Sequence, residues 1–161
     1  MAKRMVLASD HRGVALKSAL REQLAAAGWE VVDFGTDGTG AVDYPDLAGP
    51  AAEAVSRGDA ERGIVICGSG LGVSYTANRF PHVRAALALD PQMAEMARRH
   101  NDANVLALAA DRTSPDAASK IVETWLATPF EGGRHEPRVA KIDAAARRAW
   151  SQELSGRSPL D

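Results

Sequence analysis

A chain of 161 residues suits one domain, with roughly 70% of the unfolded surface removed from water on folding. Its composition, 45% apolar and 25% charged, excludes a disordered or fibrous polymer. Nineteen basic against 21 acidic residues leave a formal charge of −2, which excludes a whole-protein field that would gather nucleic acid or hold an anionic membrane.

The first apolar run, Met5 to Ala8, reads as a strand. The residues before it lack the long apolar stretch and small-residue cleavage site of a secretory leader. No later stretch reaches the ~20 apolar residues that span a bilayer. One cysteine allows no internal disulfide. A cytoplasmic protein is the expectation. The loop "SDHRG" follows, with Asp10 and His11 at the mouth of the strand. Asp10 there serves equally as a helix cap or as a functional carboxylate, because strand-end loops carry sites.

Leu16, Leu20 and Leu24 recur every fourth residue, and Gly28 stands where a helix C-cap would. Trp29 to Phe34, Gly63 to Ile66, Ala85 to Leu89 and Val105 to Ala109 read as four further strands. Helices are expected between them near 45–57, 72–80, 91–100 and 114–127. The strands are continuous apolar runs, which suits a parallel sheet covered on both faces. The expected fold is therefore α/β, a three-layer sandwich around a five-stranded parallel, doubly wound sheet. A Pro/Gly-punctuated connection leads to a C-terminal helix at about 136–150, with Val139, Ile142, Ala146 and Trp150 in helical register. Residues 1–150 are expected to form one domain and 151–161 a loose tail.

In such sheets ligands bind beyond the carboxyl ends of the strands. At the end of the third strand stands "VICGSGLGVSYTANR", with the single cysteine, Cys67, before glycines 68, 70 and 72. The glycines permit close approach of a ligand, and the N–H groups of a helix start favour an anion. A thiolate at Cys67 would face the positive end of that helix, yet a free cysteine is as often a small buried hydrophobe. Spacing alone leaves both readings open. The dinucleotide fingerprint fails, since Val73 stands where its third glycine belongs.

His100 and Asn101, in "RRHNDANVLAL", precede the fifth strand. His100 either complements the end of its helix or moves a proton near neutral pH. Arg134 and Arg138 either grip one anion together or sit on a solvated face.

Together "SDHRG", "DYPDLA", "VICGSGLGVSYTANR", "HNDANVLAL" and "TPFEGGRHEPRVAKI", in this order from residue 9 to residue 142, resemble the type B ribose-5-phosphate isomerase family, which includes the galactose-6-phosphate isomerase subunits. The resemblance implies a Rossmann-like sandwich and a homodimer or homotetramer, with the site at the dimer interface. It implies interconversion of an aldose phosphate and a ketose phosphate without metal or other cofactor, and no nucleic-acid or membrane partner. Cys67 would be the base. Ser69 and the N–H groups of Gly68, Gly70, Leu71 and Gly72 would steady an enediolate, and His100 would assist ring opening. Asp10, His11, Tyr44 and Asn101 would contact the sugar phosphate, and Arg134 and Arg138 the phosphate.

Asp111 stands where that family carries a further phosphate-binding arginine, with Arg112 one residue later. Tyr75 replaces a smaller aliphatic residue, and Arg79 a frequent lysine. The expected substrate pair is ribose 5-phosphate and ribulose 5-phosphate. The alternatives are the same chemistry on erythrulose 4-phosphate, allose 6-phosphate or galactose 6-phosphate, and a non-catalytic sugar-phosphate-binding subunit.

Overall fold

Five parallel strands alternate with helices along the chain. The computed structural model describes residues 3–154. The order is β1 (Arg4–Ser9), α1 (Val14–Ala26), β2 (Glu30–Asp33), α2 (Pro45–Ser56), β3 (Arg62–Cys67), α3 (Leu71–Ala77), β4 (Ala85–Leu87), α4 (Pro91–Asn101), β5 (Val105–Ala109) and α5 (Pro115–Ala127). A 3-10 turn, Gly133–His135, then leads into α6 (Glu136–Leu154). Every strand pair is parallel and the sheet order is β2-β1-β3-β5-β4.

The two-residue period of each strand divides its side chains between two cores. Met5, Leu7, Ile64, Ile66, Leu106 and Leu108 face α1 and α5, where Leu20, Leu24, Ile121 and Trp125 fill the space. Val6, Ala8, Val65, Cys67, Val105 and Ala107 face α2 and α3. Their partners there are small: Ala48, Ala51, Ala52 and Ala77, so these helices lie close to the sheet. The three-layer sandwich read from the sequence is thus the fold, although the edge strands β2 and β4 are only part-buried because each has one neighbour.

Chain direction reverses between β1 and β3. From β1 the chain moves outward to β2, then returns across to β3. At such a switch point neighbouring crossovers lie on opposite faces of the sheet and a crevice opens beyond the strand ends. The loops bordering this crevice are residues 10–13 and 68–70. The C-terminal helix extends four residues past the expected Trp150, to Leu154. The rest of the expected tail, 155–161, lies outside the described residues.

Candidate active site

Cys67 ends β3 at this crevice and is 4% exposed. Its Sγ accepts a hydrogen bond from the Gly70 N–H at 3.2 Å, so the turn bends round the sulfur. Gly70 holds the left-handed φ of 74° that closes the bend, the backbone region glycine enters without penalty. The Ser69 hydroxyl accepts from the Leu71 N–H at 3.3 Å. Among the described residues, the N–H groups of Gly68, Ser69 and Gly72 meet no protein acceptor. Of the donors expected for an oxyanion, Gly70 and Leu71 are engaged within the turn, while Gly68 and Gly72 are open.

A cavity of about 480 Å³ lies over this turn, lined by Asp10, Arg12, Tyr44, Cys67, Ser69 and Tyr75 among others. Asp10 is 6% exposed. It caps no helix: its carboxylate accepts from the Arg12 N–H at 2.9 Å, shaping the loop. The His11 Nδ1 accepts from the Val42 N–H at 3.3 Å, tying that loop to the segment before α2. Tyr44 precedes Pro45 of α2, and its ring lies so close over Gly72 that an added Cβ would sit 2.5 Å from its Cζ. With the ring in this position, only a residue without a side chain fits beneath it.

Asp111 lines the same cavity, paired with Arg12 at 2.7 Å. Arg112, the alternative the sequence suggested, is exposed and is not among the cavity-lining residues. The guanidinium at this site is that of Arg12, which sequence reasoning passed over.

His100, Asn101, Arg134 and Arg138 lie elsewhere in the chain's fold. His100 and Asn101 close α4 just before β5 begins, whereas Cys67 pairs with Ala109 at its end. Val105 to Ala109 covers about 13 Å at ~3.3 Å per residue, so these residues stand at the opposite end of the strands from the thiol. The His100 and His135 rings stack at 4.4 Å with a 12° tilt. Glu131 accepts from Arg99 at 3.0 and 3.2 Å, and its carboxylate is 3.9 Å from His100 Nε2. Arg99 holds the Glu131 carboxyl below the usual carboxylate range. Burial holds the His135 imidazole below its ordinary value, reinforced by the charges of His100, Arg134 and Arg138. Both arginines therefore bear on one histidine, Arg134 from the 3-10 turn and Arg138 from the first turn of α6.

His100, Glu131 and His135 bring three ligand-type atoms within 4.8 Å of one another. This is a poor metal centre: the imidazoles stack, Arg134 Nε donates to His135 Nε2, and two N–H groups of Arg99 hold Glu131. What the chain presents is two separate clusters. One carries the thiol, open N–H groups, two carboxylates and one guanidinium; the other is dominated by arginines and histidines.

The family profile described as Ribose/Galactose Isomerase matches residues 5–142. The chain is 40% identical over 146 residues to ribose-5-phosphate isomerase B of Escherichia coli, covering 91% of this chain and 98% of that protein. A solved ribose-5-phosphate isomerase B from Clostridium thermocellum superposes with a TM-score of 0.89 at 48% identity, covering 91% of this chain and 99% of that one. The Mycoplasma genitalium enzyme with bound ribulose 5-phosphate superposes at 0.88 and 40% identity, covering 91% and 98%.

Proposed function

The chain belongs to the ribose/galactose isomerase family, and from that premise we propose that it is a sugar-phosphate aldose–ketose isomerase interconverting ribose 5-phosphate and ribulose 5-phosphate. The observation that carries the reading is the Cys67 turn: a thiol at the switch-point crevice, beside unengaged backbone N–H groups, under a cavity of substrate size.

Cys67, as the thiolate, takes the proton from C2 of the open-chain aldose. The electron pair left behind makes the C1–C2 double bond of an enediolate, with negative charge on oxygen. The Gly68 and Gly72 N–H groups and the Ser69 hydroxyl are the donors for that charge, each such donor lowering the barrier by ~3–4 kcal/mol. The O2 proton passes to O1, Sγ then returns its proton to C1, and the electrons on O2 close the C2 carbonyl of the ketose. One base serves both steps because the two carbons are adjacent.

The second half-site comes from another copy. His100 of that copy passes a proton to the ring oxygen as the cyclic sugar opens, Asn101 holds substrate oxygens, and Arg134 and Arg138 grip the phosphate. The charge balance supports this, since the thiol side has more carboxylates than cations and the arginine side the reverse. Ile142 and Trp150 are exposed along α6, apolar surface available to a second chain in a homodimer or homotetramer. Residues 1–150 act as one domain. Among the described residues no helix is long and apolar enough to cross a membrane, which supports a cytoplasmic setting; recovery of the protein in the membrane fraction of fractionated cells would count against it.

The test is a panel of aldose and ketose phosphates of four to six carbons, assayed with wild type and Cys67→Ala. Turnover of ribose 5-phosphate and a loss of more than about a hundredfold in kcat in the variant are expected. Full activity in the variant would remove Cys67 as the base. No turnover across the panel would make the chain a binding subunit. Tyr75, 65% exposed at the cavity rim, favours one second reading: it meets whatever extends past the reacting carbons, so preference for a four- or six-carbon substrate would assign the same chemistry to another sugar phosphate.

A further inference from the structure

Arg12 and Asp111 face each other across the cavity wall from loops 99 residues apart in sequence. The guanidinium presents one edge to the carboxylate, with Nη2 at 2.7 Å from Oδ2 and Nε at 3.1 Å from Oδ1. Both partners are about half exposed, and an ion pair so exposed contributes little to stability. It is nevertheless tightly placed. The Asp111 N–H donates to the Gly68 carbonyl at 3.0 Å, and the Arg12 N–H to the Asp10 carboxylate. The pair lies directly over the Gly68 α-carbon, where a Cβ would sit 2.8 Å from Asp111 Oδ2 and 2.9 Å from Arg12 Nε.

A guanidinium carries five N–H groups in a planar fork with two usable edges. Asp111 occupies the edge formed by Nε and Nη2. Among the described residues, Nη1 and the outer N–H of Nη2 meet no acceptor, and Arg12 lines the same cavity as Cys67 and Ser69. Two parallel N–H groups of that kind match two oxygens of a phosphate.

We propose that Arg12 is a substrate-binding residue whose free edge grips the phosphate oxyanion, and that Asp111 is its positioning residue rather than a charge that repels the substrate. This rests on reading the cavity as the site of a phosphorylated sugar. It makes the thiol half-site contribute its own phosphate contact, opposite Arg134 and Arg138 from the second copy.

The experiment titrates inorganic phosphate calorimetrically into wild type, Arg12→Ala, Arg12→Lys, Asp111→Asn and the Arg12→Ala/Asp111→Asn double variant, with KM and kcat for ribose 5-phosphate measured alongside. Arg12→Ala weakens phosphate binding and raises KM by about tenfold to a hundredfold, the effect of losing charge-assisted hydrogen bonds, while kcat changes by less than about threefold. Arg12→Lys restores little, because an ammonium keeps the charge but has no fork. Asp111→Asn removes a negative charge yet weakens phosphate binding, and the double variant binds no worse than Arg12→Ala, since the two residues act as a unit. Phosphate affinity unchanged in Arg12→Ala, tighter in Asp111→Asn, or undetectable in wild type would each overturn the proposal. The titration needs no turnover, so a panel without a substrate would remove the isomerase reading while phosphate binding still decides Arg12.

Discussion

Gly70 and Gly72 sit two residues apart and fail differently when given a side chain. At Gly70 an added Cβ would lie 2.5 Å from Leu87 Cδ1 and 3.0 Å from the Leu108 backbone carbon, at a φ of 74°. A left-handed alanine costs about 1–2 kcal/mol and overpacking about 1–3 kcal/mol. Gly70→Ala should therefore lower stability by about 2–5 kcal/mol, read as a fall in the urea midpoint. At Gly72 the obstacle is the Tyr44 ring, 39% exposed and able to swing outward. Gly72→Ala should change stability by no more than about 0.5–1 kcal/mol and raise KM, and an equal loss of stability in both variants would refute this distinction. The cysteine and its glycines were legible in the sequence because turn, thiol and helix start are contiguous. Arg12 was not: the loop "SDHRG" draws the eye to its carboxylate and imidazole, and what defines Arg12 is a partner in a distant loop.

At the 3-10 turn and the start of α6, acid acts on a buried histidine. His135 is 5% exposed and is held below the ordinary histidine range chiefly by that burial, with the charges of His100, Arg134 and Arg138 adding and Glu131 opposing. The unfolded chain takes a proton near pH ~6.5 that the folded His135 resists. Its contribution to stability is thus intact above that pH and is lost as pH falls toward the folded value. Thermal melting should drop between pH 7 and 5, and His135→Gln should show a smaller drop over that interval; an equal drop in both would move the acid sensitivity elsewhere. Five strands and six helices were legible in the sequence, because periodicity is local. Their neighbours were not, since no local pattern in β4 makes it the outer strand beyond β5. The expected strand to Leu89 ends at Leu87, although the Ala88 N–H still reaches the Ala107 carbonyl before Asp90 caps α4 through the Met93 N–H. The docking of α6 was also hidden, as it uses Arg84, which reaches Asp143 on that helix and Asp102 after α4.

At the scale of the whole molecule, the thiol and the arginines lie at opposite ends of the strands, and the proposed site draws one from each of two chains. Mixing Cys67→Ala and Arg138→Ala subunits, each crippled alone, should restore activity. Random pairing makes about half the dimers mixed, and a mixed dimer holds one intact site of two, so recovery should approach about a quarter of wild type. Recovery no greater than the sum of the parents would mean that each chain completes its own site. In the proposed two-chain site, a sugar phosphate touching both chains would be a ligand of their assembly as well as of their chemistry, binding the paired state and not the single chain. By mass action it strengthens association as its concentration exceeds its dissociation constant. At low protein concentration, the supply of substrate would therefore govern how many working sites exist as well as how fast each one turns over.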